Sequence, residues 1–139
     1  MNHSTNNIAA TLLRASFGII LVAHALLKVL VFTMPGTVGF FVSQGFPGWM
    51  AYPVVAIEFF GGVALVLGFQ TRLVALATLP VLLGALTVHI GNGWVFNAPN
   101  GGWEYPALLA VLSVVVALQA KAGFALGKPG RASSRRLPA

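Results

Sequence analysis

The chain has no cysteine, and only two of its 139 residues are acidic, Glu58 and Glu104. Without cysteine there can be no disulfide, no thiolate nucleophile and no Cys-ligated metal. Any redox chemistry must therefore pass through a bound molecule or a partner. Charge of either sign is scarce: 7% of residues are charged, where a soluble chain carries about 25%. Fully 58% are hydrophobic and the mean hydropathy is +0.89. A domain this short leaves too much surface exposed to hide that much apolar material from water. These shortages exclude a soluble enzyme, a disordered tail and a large extramembrane domain. The solvent is lipid, and at about 20 apolar residues per span the length suffices for four spans and little more.

Four apolar stretches are present, at about residues 8–32, 51–69, 73–90 and 103–120. Runs of this length, with Gly and Pro between them, favour helices over the alternating pattern of a membrane barrel. The expectation is an all-α integral membrane four-helix bundle within residues 1–127, followed by a basic tail, 128–139. Between the first two stretches, the short aromatic segment Thr37 to Gln44 is read as a partial helix along the interface. Gln70, Thr71 and Arg72 are read as a tight turn, and Gly91 to Gly102 as a polar loop. A signal peptide is imitated by Arg14, the apolar run after it and Ala23-His24-Ala25. The apolar stretch continues past that site to Phe32, however, and cleavage would leave three spans.

Lys and Arg set the orientation. Arg14, Arg72 and the tail (Lys128, Arg131, Arg135, Arg136) fall on one side, while the segments 33–50 and 91–102 contain neither residue. By the positive-inside rule both termini and the 70–72 turn are expected on the cytoplasmic side of a cell's inner membrane. All the Trp and Tyr (Trp49, Tyr52, Trp94, Trp103, Tyr105) fall on the opposite, outer side, as an aromatic belt does. Basic residues clustered beyond a last span mark a membrane side rather than a nucleic-acid site, so no nucleic-acid partner is expected.

Ionisable groups inside a bilayer cost about 2.5–3.5 kcal/mol each on insertion scales. At about 1.5 Å of rise per residue, His24, Lys28, Glu58, His89 and Glu104 all fall in the outer third of the bundle. His24 and Lys28 are i and i+4 and share a helix face. Glu58, Gly61 and Gly62 also share one, a carboxylate over a small-residue floor that another helix or a flat ligand could approach closely. Lys28 paired with Glu58 or Glu104 would lower the cost of burying either. Taken alone, Lys28 could instead snorkel to the outer headgroups, and His89 could bind a loop carbonyl. The histidines and carboxylates match no compact metal motif, so no metal is expected. Proton-coupled handling of a small, polar-headed lipophile fits them better.

The order His24-Ala-Leu-Leu-Lys28, Glu58-Phe-Phe-Gly61-Gly62, Leu65, Gly68, Thr71-Arg72, His89, Asn97 and Gly101-Gly102-Trp103-Glu104-Tyr105 resembles the DoxX family of small four-helix bacterial membrane proteins. The resemblance runs from Leu12 to Gly127. It points to Arg14, His24, Lys28, Glu58, Arg72, His89 and Glu104 as the functional set, with Arg72 read as topological. It implies an association with membrane oxidoreductases, some of them quinone-linked. The expectation is a membrane oxidoreductase component that binds a quinone or similar small redox molecule in an outer-leaflet pocket, with no covalent cofactor. Glu58 and His24 would handle protons. Lys28, His89, Glu104, Gly61, Gly62, Trp103 and Asn97 would contact substrate, with Glu104 balancing Lys28. The alternatives are a small-solute carrier or channel and a non-catalytic assembly subunit. A larger oxidoreductase subunit and a second copy of the chain are the candidate protein partners.

Overall fold

A computed structural model describes residues 3–120, and among these there are helices and turns but no strand. Helix α1 (His3–Leu26) continues into a wider π turn, Leu27–Val31. Helix α2 (Met34–Ser43) follows, then α3 (Ala51–Leu67), α4 (Thr71–His89) and α5 (Glu104–Leu118). In hydrocarbon every backbone N–H and C=O must find its partner within the chain, and a helix does this locally.

Helices α1, α3, α4 and α5 fall on the four expected apolar stretches, with shifted ends. Helix α1 starts at His3 rather than Ile8 because the polar residues Ser4–Asn7 continue the helix, and the Thr11 hydroxyl donates to the Asn7 carbonyl (2.8 Å). Thr71 and Arg72 are not turn residues but the first turn of α4. The reversal is made by Gly68 and Gln70, both with left-handed backbone (φ 76° and 45°). Gly68 and Phe69 close it by donating to the carbonyls of Leu65 and Ala64. The segment expected as a partial helix is a complete ten-residue helix, α2, started by Thr33 and Pro35. By length and composition, three helical stretches can cross a membrane, Ser4–Val31, Gly48–Leu67 and Thr71–Asn92. Helix α5 has 15 residues, about 22 Å, and is shorter than the stretch 103–120. The boundary at 127 and the basic tail lie outside the described residues.

Helices α1, α3, α4 and α5 pack in a ring: α1 on α3, α3 on α4, α4 on α5, and α5 back on α1. Phe17, Leu21, Leu65, Leu82, Leu109 and Val116 fill its centre. Large apolar side chains also cover the outside, among them Leu12, Ile19, Phe60, Leu73, Val111 and Leu118. Helices apolar on every side belong in lipid. Where burial of apolar groups gains little over lipid, association depends on close packing and interhelical hydrogen bonds. Both are present. Gly18 of α1 and Gly62 of α3 face each other so closely that a Cβ on either would lie 2.6 Å from the other's carbonyl oxygen. On the opposite side, the Ser113 hydroxyl of α5 donates to the Ala75 carbonyl of α4 (2.6 Å), which also accepts from Thr78 (2.8 Å).

The Gly18–Gly62 contact makes a testable demand. A side chain at position 62 must push two backbones apart, so Gly62→Val should destabilise the protein by about 1–3 kcal/mol, the usual cost of overpacking. Gly84 in α4 has open space where its Cβ would stand, so Gly84→Ala should be tolerated. Thermal unfolding of the two variants in detergent checks both.

Candidate functional site

The polar groups gather at one end of the ring because α1 and α3 run antiparallel. From the Gly18–Gly62 contact, ten residues forward on α1 reach Lys28, and four back on α3 reach Glu58. Side chains on a helix lean toward its N-terminus. Lys28 therefore leans inward and Glu58 outward, and they meet. The Lys28 ammonium donates to both carboxylate oxygens, at 2.7 and 2.6 Å. The carboxylate side chain is 7% exposed and the lysine 20%. Lys28 thus turns into the bundle rather than snorkelling outward. Two groups that would each be costly to bury form a neutral, doubly hydrogen-bonded pair.

The backbone around Lys28 is irregular. In a regular α-helix the Phe32 N–H would reach the Lys28 carbonyl; here it donates to Leu27, one residue further back (3.0 Å). That longer bond makes the π turn. One turn before Lys28, the His24 Nδ1 hydrogen donates to the Ile20 carbonyl (2.8 Å). In the neutral ring this leaves Nε2 as the acceptor. The His24 ring stacks on Tyr105 of α5, with centroids 5.9 Å apart and planes 22° from parallel.

His89, Glu104, Trp103 and Asn97 belong to a second structure, the loop between α4 and α5 and its flanks. Glu104 does not balance Lys28: its carboxylate accepts the Phe96 N–H (2.8 Å). His89 does not face the ion pair either. Its Nδ1 lies 3.1 and 3.0 Å from the carbonyls of Asn100 and Gly101, and the Asn92 amide donates to the same two oxygens. The loop closes where Trp103 and Glu104 donate to the carbonyls of Gly93 and Trp94. A Cβ at Gly102 would collide with the Val95 carbonyl, so only glycine fits there. Trp103 packs edge-on against Trp94 at 4.5 Å. Asn97 stands exposed in the loop. A shallow, open cavity of about 310 Å³ is lined by Trp94, Phe96, Glu104, Tyr105 and Leu108.

The two glycines expected under a ligand are occupied by helix packing. Gly62 meets Gly18 and Val22 of α1, and Gly61 meets Val74 and Thr78 of α4. Arg14 is buried in the other half of α1, about 20 Å along the helix from Lys28. Arg72 is exposed at the start of α4. Among the described residues no three His, Cys, Asp or Glu side chains are placed to hold a metal. Sequence reasoning missed two residues. Tyr105 was legible as part of the aromatic belt and of the run 101–105 but not as a site residue, and Thr37, whose hydroxyl donates to the Lys28 carbonyl (2.9 Å), carried no signal.

Apolar helices closed into a ring around a buried Lys–Glu pair define a polytopic helical membrane protein. The chain belongs to the DoxX family, whose model matches residues 9–90. It is 39% identical over 112 residues, 80% of this chain and 78% of the relative, to a protein of Bacillus subtilis (strain 168) named "Putative oxidoreductase CatD". No solved structure matches it.

The pair yields a sign test for buried charge. Glu58→Gln strands the lysine, and the loss of one partner should cost about 3 kcal/mol. The double variant Lys28→Met with Glu58→Leu should recover most of that loss, because it strands neither charge. Unfolding of the single and double variants in detergent measures the difference.

Proposed function

We propose that this protein is the membrane component of an oxidoreductase and binds a quinone headgroup, or a redox molecule of similar size, beside the Lys28–Glu58 pair. The observation that carries the reading is the His24–Tyr105 stack. Tyr105 also lines the aromatic cavity, and His24 stands one helical turn from Lys28. Tyr105 therefore joins an open, aromatic-lined depression, on which a flat ring could lie, to the ionisable side chains of α1 and α3. The cavity volume, about 310 Å³, is at the small end for ligand sites, which suits one substituted ring whose apolar tail stays in lipid. The relative's name agrees with redox work.

A quinone, when bound, takes up two electrons and two protons in becoming a quinol. The chain has no cysteine to carry electrons, so a partner oxidoreductase subunit supplies or removes them. This chain's part is to bind the ring and move protons. Lys28 presents N–H donors to a ligand oxygen, and the Glu58 carboxylate, sharing those donors, is placed to take up or release a proton. In the neutral ring, the Nε2 of His24 is a second acceptor. The distribution of Lys and Arg along the sequence supports an orientation with this end of the bundle in the outer leaflet of an inner membrane and both termini in the cytoplasm.

Mass spectrometry of lipid extracts from the purified protein tests the reading, with wild type compared against Glu58→Gln and Tyr105→Leu. Quinone that co-purifies with the wild type and is lost from both variants is the expected result. A wild-type extract with no enriched small molecule overturns it, and the carrier and assembly-subunit readings then lead. Tyr105→Leu leaves the ion pair intact, so its loss of quinone is not explained by a stranded lysine.

A further inference from the structure

The π turn at Leu27–Val31 has a consequence for the residue it carries. Because the Phe32 N–H is taken by Leu27, the carbonyl of Lys28 loses the donor that a regular helix would give it. An acceptor left bare away from water costs about 1–3 kcal/mol. The structure supplies a donor from outside the helix: the hydroxyl of Thr37 on α2, at 2.9 Å. Thr37 is 3% exposed. The link between the helices is short and constrained. Thr33 has φ 62° and ψ 157°, a backbone that β-branched residues rarely adopt. It is tied to α2 by its carbonyl, which accepts from the Thr37 N–H (2.9 Å), and by its hydroxyl, which accepts from Gly36 (3.3 Å). Thr37 thus uses both its backbone and its side chain to hold the end of α1 against the start of α2.

We infer that Thr37 is the positioning residue of the Lys28–Glu58 pair: its hydroxyl satisfies the carbonyl opened by the π turn, and so stabilises the register that aims Lys28 at Glu58. The π turn and the ion pair meet at one residue. The backbone oxygen of Lys28 is held by α2 and its ammonium by α3. A return to the α register would give the Lys28 carbonyl back to Phe32 and turn the lysine relative to α3. Thr37 opposes this reversion, because turning the Lys28 carbonyl back toward Phe32 would lengthen or bend the buried hydrogen bond that Thr37 makes to it. Through this bond the placement of α2 and the geometry of the pair become one equilibrium. The functional meaning of that coupling rests on the proposed ligand role of the pair, whereas the coupling itself does not.

The experiment uses the full-length protein in lipid nanodiscs and needs no quinone, so its failure is distinct from failure of the proposed function. Lys28 is modified with acetic anhydride, and its rate is read by peptide mass spectrometry against a lysine peptide added as internal standard. Thr37→Val keeps the shape and removes the donor, and should raise the rate of Lys28 modification about five-fold, the factor expected for one lost hydrogen bond. Thr37→Ser restores the hydroxyl and should return the wild-type rate. Hydrogen exchange around Gly18 and Gly62 should stay unchanged in both, which a general loosening of the bundle would not allow. A wild-type rate in Thr37→Val, or failure of Thr37→Ser to restore it, overturns the inference. If Thr37→Val does not fold, Thr37→Ala is read by the same criteria. Loss of the fold in both also overturns it, because Thr37 would then determine the fold rather than position one side chain.

Discussion

A lysine and a glutamate that must both leave water constrain this structure more than any other feature. Neither is tolerable alone in hydrocarbon, and together they are acceptable only if the ammonium and the carboxylate meet in good geometry. That requirement reaches through the bundle. Helices α1 and α3 must run antiparallel, so that side chains leaning toward opposite ends converge. They must also lie close together, which the paired glycines at 18 and 62 permit. The last turn of α1 is wound as a π turn, and α2 then folds back to hold the carbonyl this releases. Much of the short chain between Gly18 and Gly62 is occupied in bringing two charges together.

The other polar residues at this end form a second unit. His89, Asn92 and Glu104 bind backbone groups and turn the 91–103 segment into a compact cap rather than a free loop. Only neutral or singly charged groups are needed for that work, and they lie near the aromatic residues that favour a membrane–water interface. The His24–Tyr105 stack joins the two units. A ligand entering from the lipid would meet the aromatic wall of the cap first and the ion pair afterwards. Under the proposed function, this arrangement would orient a molecule with a flat polar head and an apolar tail.

The helices were legible because lipid simplifies the code. A long apolar run must be a helix, and polar punctuation marks its ends to within a few residues. The charges were legible as a group for the same reason, since each carries a known insertion cost and its depth follows from helical rise. Which partner each would choose was not. Glu58 and Glu104 stood at comparable promise for Lys28, and the choice depended on which helix lies beside α1 at that height. The π turn was invisible because it is set by contacts: Lys28 apart, Leu27–Val31 is as apolar as the residues before it, and a lysine gives no signal for a π turn. Gly61 and Gly62 announced a close approach but not its occupant. The occupants proved to be α4 and α1.

By itself, then, the amino-acid sequence determined the solvent, the helical class, the long helices to within about five residues and the end of the bundle at which ionisable groups collect. These follow from composition and one-dimensional spacing, because transfer to lipid is additive along a chain. Only the tertiary structure decided that Lys28 pairs with Glu58, that Glu104 and His89 serve the loop, that Tyr105 covers His24 and that Thr37 holds the lysine's backbone. Those are choices among near-equivalent partners, settled by helix order, crossing point and side-chain lean, none of which is written in the spacing of residues along the chain.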